Sequence, residues 1–296
     1  MPSTLLATVV ALTGESITSL YPIIIKRVDT DLLTQTTVRF AVYPILALLL
    51  GGFGSLAKTW GTAPQALAGF AFGLMNLLHV FSSYVAFDEL QAGIAMSIFY
   101  LYPFLNLLGS RLFFGEAIHA WMMPFFAVAL FGTYLITSVA DEAKTYEHEG
   151  QPTRNITRGL VAAFIAALTE SGIYLAVRGS VTSDPYANQL LLYLGGTAIL
   201  AAALPALKAA GHSIDLRGAV LSKLTLFNSL IGFVGGSLMF WSARYLPAYA
   251  YSMIAFAGVA AAYGWGILFA DETPHPTAIT GAGLVLAAVG ALRILA

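Results

Sequence analysis

No cysteine occurs in the 296 residues of this chain, which excludes disulfides, thiolate metal sites and cysteine nucleophiles. Charge is nearly as scarce. Asp, Glu, Lys and Arg make up 10% of the sequence, against about 25% in an average soluble domain, and they cancel to a net −1. Without a basic tail or patch, no nucleic-acid partner is expected. The five histidines, His79, His119, His148, His212 and His275, are scattered and form no His-x-x-x-His pair that would grip a metal. There is no Gly-x-Ser-x-Gly element for a hydrolase nucleophile and no Gly-rich loop ending in Lys-Ser/Thr. Neither an enzyme, nor a cofactor or metal, nor direct use of ATP is expected.

What is abundant is apolar sequence. Hydrophobic residues are 58% of the chain and mean hydropathy is +0.79. A bilayer is crossed by about 20 consecutive apolar residues. Ten such runs are expected, at 4–25, 32–52, 64–87, 92–113, 118–139, 158–178, 186–208, 218–242, 247–269 and 276–295. They are separated by charged or Gly/Pro-rich breaks such as Lys26-Arg27-Val28-Asp29, Asp88-Glu89 and Asp271-Glu272-Thr273-Pro274. The first run lacks a basic leader and contains Glu15, so it reads as a span rather than a signal peptide. The fold class expected is an all-α membrane protein. A hydrophilic linker, 141–157, divides a first five-helix unit, 1–140, from a second, 158–296.

Two of the rare acids lie deep inside apolar runs. Glu15 sits in Ala11-Leu12-Thr13-Gly14-Glu15-Ser16 and Glu170 in Ala167-Leu168-Thr169-Glu170-Ser171, 155 positions apart (170 − 15). A carboxyl inside a span is costly and reads as functional by default. The repetition extends further. Leu90, Ala92 and Ile98 match Leu246, Ala248 and Ile254 at a spacing of 156, and Leu112-Phe113-Phe114-Gly115-Glu116 answers Leu268-Phe269-Ala270-Asp271-Glu272. Gly132 answers Gly290. Five spans is an odd number, so a second copy starts from the opposite side of the membrane: an inverted repeat, which places a substrate site where the halves meet.

On these residues the chain resembles the drug/metabolite transporter superfamily, in particular its ten-helix EamA-type members. The stretch from Leu90-Gln91-Ala92-Gly93 through Tyr102-Pro103 to Phe114-Gly115-Glu116 is similar to that family's third-to-fourth-helix pattern. Tyr245-Leu246-Pro247-Ala248 through Glu272-Thr273-Pro274 is similar to its second copy, with Val259 where the first has Pro103. The first span of each half also resembles the small multidrug resistance branch, whose first-helix glutamate takes up protons or cationic substrate. Arg178 follows Glu170 by eight residues in that branch's manner, whereas Lys26 follows Glu15 by eleven. The resemblance implies proton and substrate binding at Glu15 and Glu170.

Further candidates come from polar groups at helical spacing. Asn76, His79 and Ser83 form one stripe in the third run, and His79 suits either a proton relay or a hydrogen bond across a helix seam. Tyr174 follows Glu170 by one turn on the same face. Tyr100 and Tyr249 lie on faces with other polar atoms and would bind a cation over the ring at about 0.5–2 kcal/mol each, unless they belong to interfacial belts. Gly69-x-x-x-Gly73 and Gly232-x-x-x-Gly236 read as close helix contacts. Arg39, Arg178 and Arg244 read as side chains snorkelling to headgroups, the last two also within reach of an anionic substrate.

The function expected is a secondary active transporter, proton-coupled, moving a small metabolite or cationic amine or drug. Alternatives are an uncoupled or exchange carrier for a neutral or anionic metabolite with structural glutamates, a channel, and a membrane-embedded enzyme. Partners expected are a small-molecule substrate, protons and the lipid bilayer, in a monomer or weak homodimer of the plasma (inner) membrane. Orientation stays open: nine of the fourteen Lys and Arg fall on the side away from the termini, favouring termini outside, whereas the resemblance implies termini inside.

Overall fold

The computed structural model describes residues 3–21, 28, 30–90, 95, 98–140, 155–180, 182, 184–269 and 273–295. Lys26, Arg27, Asp29, the stretch 91–94, the linker from 141 to 154, Ala270, Asp271 and Glu272 lie outside the described residues. Among the described residues the chain is helical with no strand. The longer helical segments among the described residues are, in order, α1 (Thr4–Thr18), α2 (Leu32–Trp60), α3 (Ala63–Glu89), α4 (Tyr102–Phe114), α5 (Met123–Ala140), α6 (Ile156–Gly179), α7 (Pro185–Ala209), α8 (Gly218–Tyr245), α9 (Ala248–Phe269) and α10 (Pro276–Leu295).

Their starts are written locally. The Asp31 carboxylate accepts from the Thr34 N–H at 2.8 Å to open α2, Thr62 and Gln65 form a reciprocal capping box for α3, and Asn155 and Asp184 cap α6 and α7. At the end of α4, Gly115 adopts φ 69°, and the N–H groups of Gly115 and Glu116 return to the carbonyls of Arg111 and Ser110.

Eight of these helices are long and apolar enough to cross a membrane, and the chain is a multi-pass membrane protein. The segments expected at 4–25 and 92–113 lie partly outside the described residues, at 22–25 and at 92–94 and 96–97. Within their described parts, α1 gives way to a turn at Ser19, and α4 begins only after a turn at Tyr100–Leu101. Conversely, α2 runs to Trp60, past the expected end at 52, because Gly52 absorbs a bend at φ 64°.

Polarity is arranged inside out, as a lipid solvent requires. Phe53, Leu49, Leu112 and Ile294 are exposed, whereas Gln35, Asn76, Asn106, Gln189, Asn228 and Ser252 are buried. Helix pairs lock through small residues and polar links. A Cβ on Gly73 of α3 would strike the backbone of Gly195 and Gly196 in α7. The same seam carries a hydrogen bond from Asn76 Nδ2 to the Leu192 carbonyl, 3.0 Å, and Trp60 at the end of α2 donates from Nε1 to the Leu190 carbonyl of α7 at 3.2 Å.

Packing has a regularity. α2 packs on α7, α4 on α9 and α5 on α10; α3 with α6 is matched by α8 with α1, and α4 with α6 by α9 with α1. Helix α9 is interrupted at Phe256, 156 positions (256 − 100) after the turn at Tyr100. Gly132 of α5 packs against Gly281 of α10, while a Cβ on Gly290 would meet open space.

Candidate functional site

Close packing of α1 on α8 determines where Glu15 points. A Cβ on Gly14 would lie 2.9 Å from Met239 Cγ and 3.1 Å from the Gly235 carbonyl, so only glycine permits this approach. From α9, Trp265 Nε1 donates to the Ser16 carbonyl at 2.7 Å and holds the next residue of the same turn. The Glu15 side chain is thereby carried inward. A Cβ on Gly258 of α9 would lie 3.1 Å from Glu15 Oε2 and 3.0 Å from the Tyr100 hydroxyl, which places these two polar groups over one glycine.

Glu15 and Glu170 line a single cavity of about 160 Å³, together with Asn76, His79 and Tyr100. Glu15 is 5% exposed, and its Oε1 has no hydrogen-bond partner among the described residues. A buried polar atom left in that condition is uncommon and marks a place where a proton, a water or a solute has something to bind.

Glu170 is paired. Its Oε2 lies 3.2 Å from His79 Nε2, while His79 Nδ1 lies 3.1 Å from the Ala166 carbonyl. A carbonyl only accepts, so Nδ1 carries a hydrogen and a neutral ring offers Nε2 as acceptor. The contact with Glu170 then requires one proton, either on the carboxyl donating to Nε2 or on Nε2 facing a carboxylate. One ring nitrogen of His79 thus ties α3 to α6, the seam contact considered for it, and the other faces the acid.

Two sequence candidates lie elsewhere. Tyr174 is one turn beyond Glu170, where its ring stacks on Tyr251 at 4.8 Å, outside the cavity lining. Tyr249 points into a separate small pocket with Met253, Ile254, Val289 and Arg293. Shared helical spacing with a site residue did not bring either into the site: the Tyr174 ring is taken up by its stack on Tyr251, and Tyr249 faces α10.

The reading of Arg39 as a headgroup anchor is overturned. Its guanidinium lines the cavity, with Nε and Nη2 donating to the Tyr193 hydroxyl at 3.0 and 2.8 Å. It lies 4.7 Å from the Tyr21 ring centroid and 5.3 Å from that of Tyr43. Tyr21 and Tyr43 share a hydrogen bond of 2.9 Å, and Tyr21 donates to Asn228 Oδ1 at 3.2 Å. Asn228 opens a π-helical segment, Asn228–Phe233, inside α8. Such bulges recur at functional sites because they turn side chains out of register. A Cβ on Gly232, within this bulge, would collide with the hydroxyls of Tyr21 and Tyr43. The i, i+4 pair of Arg39 and Tyr43 inside an apolar run was the available signal for this cluster.

Arg178 and Arg244 are not in the cavity either. Arg178 pairs with Glu116 and donates to the carbonyls of Ala243 and Leu246 at 2.8 and 2.6 Å. Glu116 Oε2 accepts from the Ala248 N–H at 2.9 Å, capping α9, and Arg244 bonds to the carbonyls of Arg178 and Ser180. This network ties together the ends of α4, α6 and α8 and the start of α9. The Tyr174–Tyr251 stack adjoins this network, with the Arg178 guanidinium 6.0 Å from the Tyr174 ring centroid, and Asn106 of α4 and Ser252 of α9 are buried with side-chain polar atoms that have no partner among the described residues.

No family model matches the chain, and no curated protein matches it. A solved crystal structure of a protein with 18% sequence identity superposes with a TM-score of 0.73, covering 98% of this chain and 97% of that one. The likeness is one of fold.

Proposed function

We propose that the protein is a secondary transporter in which protons and a small solute compete for Glu15 and Glu170. The observation that carries this reading is the convergence of two span-buried carboxyls, from α1 and α6, on one cavity. One of them, Glu15, has an unpartnered oxygen among the described residues, and the other lies 3.2 Å from His79 Nε2. Buried acids facing an internal cavity are the usual elements of proton relays.

The fold reading behind it is ten membrane segments in two inverted halves, resembling the EamA-type drug/metabolite transporters. Three observations support it: the exchange of packed pairs when each helix is renumbered by five, the interruptions 156 positions apart, and the place of the two acids on corresponding helices. In this reading the Arg178–Glu116 network closes one side of the cavity. Rocking of the halves breaks it, and Asn106 and Ser252 then gain water. Alternating access of this kind needs a polar path that is dry in one state and wet in the other.

The test is proton movement in liposomes carrying purified protein and an entrapped pH-sensitive dye, challenged with amines, amino acids and nucleosides. Solute-dependent proton flux is expected in the parent and lost in Glu15→Gln and Glu170→Gln with folding intact. Unchanged flux and pH dependence in both variants refutes the reading.

A further inference from the structure

From the cluster at the other end of the cavity we infer that Arg39 is an anion-binding residue and that the solute is dipolar, with a basic group for the glutamates and an acidic group for Arg39. This rests on the transporter reading above and adds the substrate class. Arg39 lies in an apolar span, yet it enters no ion pair among the described residues. A membrane-buried arginine ordinarily has a carboxylate partner, since an uncompensated charge there is costly. Here tyrosines stand in for one. The Tyr193 oxygen accepts two of the guanidinium's five N–H donors, and the faces of Tyr21 and Tyr43 supply cation–π contact.

Such a cage holds the planar fork in place without neutralising it. An arginine held this way is suited to gripping a carboxylate, or another oxyanion, with two parallel hydrogen bonds. The cage is itself braced, by the Tyr21–Tyr43 and Tyr21–Asn228 bonds and by the π-helical turn that presents Asn228. Glycine at 232 leaves the space those hydroxyls fill. These features look built rather than incidental.

The two ends are separated along the helix axes. Tyr84, which borders the Arg39 end, follows His79 by five residues on α3. At 1.5 Å per residue the offset is roughly 7–8 Å. That gap accommodates a small molecule whose ammonium and acid groups are a few bonds apart. A simple amine would satisfy only the glutamate end.

The test is thermal stabilisation of the purified protein by three matched sets: the common amino acids, the amines formed by removing their α-carboxyl, and the acids formed by removing their α-amino group. Parent protein is expected to respond most strongly to members of the amino-acid set. In Arg39→Gln the apparent affinity for those members should fall at least about 30-fold, as when one partner of a buried hydrogen-bonded charge pair is removed. Its weaker response to the matching amines should persist, and this persistence also shows that the variant folds. Arg39→Lys, which keeps the charge but not the fork, should fall between the two. Amines that bind as tightly as their amino acids, with Arg39→Gln indistinguishable from parent, overturn the dipolar assignment while leaving the transporter reading standing. A parent that responds to none of the three sets also overturns it. Loss of solute-coupled proton flux in the glutamate variants is the separate measure of that reading.

Discussion

In the proposed cycle Glu116→Gln should loosen the side of the cavity held by Arg178 and Glu116, and the absence of cysteine makes this directly measurable. Glu116 accepts from Arg178 through Oε1 and from the Ala248 N–H through Oε2, with the Arg178 and Glu116 side chains 15% and 26% exposed. An amide keeps the shape but loses the charge, and one of its two ends can no longer accept. A hydrogen bond to a charged group contributes about 1.5–3 kcal/mol. Weakening it by that amount shifts the balance toward the state with this side open by roughly 10- to 100-fold, at 1.4 kcal/mol per decade. The reporter is Ser252→Cys, at a fully buried position one turn into α9, the helix whose start Glu116 caps. It is labelled with a membrane-impermeant maleimide added to the face that carries Arg178. Labelling is expected to be slow with Glu116 in place and roughly 10- to 100-fold faster with Glu116→Gln. Rates within twofold of one another, in variants with matching size-exclusion profiles, refute the gating role.

His79→Gln keeps a donor for the Ala166 carbonyl but cannot carry the shared proton; solute binding should persist while solute-driven proton movement falls by at least tenfold in the liposome dye assay. Gly73→Leu places carbon against the backbone of Gly195 and Gly196, which cannot yield as a flexible side chain would. About 3 kcal/mol of destabilisation is expected, seen as a lower Tm in detergent, whereas Gly283→Ala, with open space around it, should match the parent. Outside the spans, partial burial pushes the Asp184 carboxyl up. Hydrogen bonds from Lys58, Ser55 and the N–H groups of Ala187 and Tyr186 outweigh this and hold it below the usual aspartate range. A carboxyl lowered on folding stabilises above its unfolded pKa, about 3.9, and ceases to do so as pH falls through the lower folded value. The α2–α7 link should therefore be intact at neutral pH and lost only in strong acid. Asp184→Asn should lower Tm slightly at pH 7, with the difference shrinking as pH falls below about 4.

The membrane character and the helices were legible in the chain because both depend on local quantities. Run length and hydropathy decide what enters lipid. Asp31, Thr62, Asn155 and Asp184 start their helices with their own side chains. The two acids stood out for the same reason: a carboxyl in an apolar run is conspicuous whatever surrounds it. Position along the chain also foretold that Asn76, His79 and Ser83 share a face. Which face meets which neighbour is a different kind of fact. It depends on how closely backbones approach, at Gly14 on Gly235 and at Gly73 on Gly195–Gly196, and helical spacing carries no record of the partner. Tyr174 and Tyr100 looked equally good one turn from polar groups, yet only Tyr100 reaches the cavity, because Tyr251 stacks across the path of the other. The π-helical turn at Asn228–Phe233 has no signature in composition, and without it the support for the Arg39 cage could not be inferred. Sequence alone decided that this chain lives in lipid with two acids inside it. Only the packed helices decided that the acids share one space with an arginine, because long-range contacts, not local preference, select the direction in which a buried side chain points.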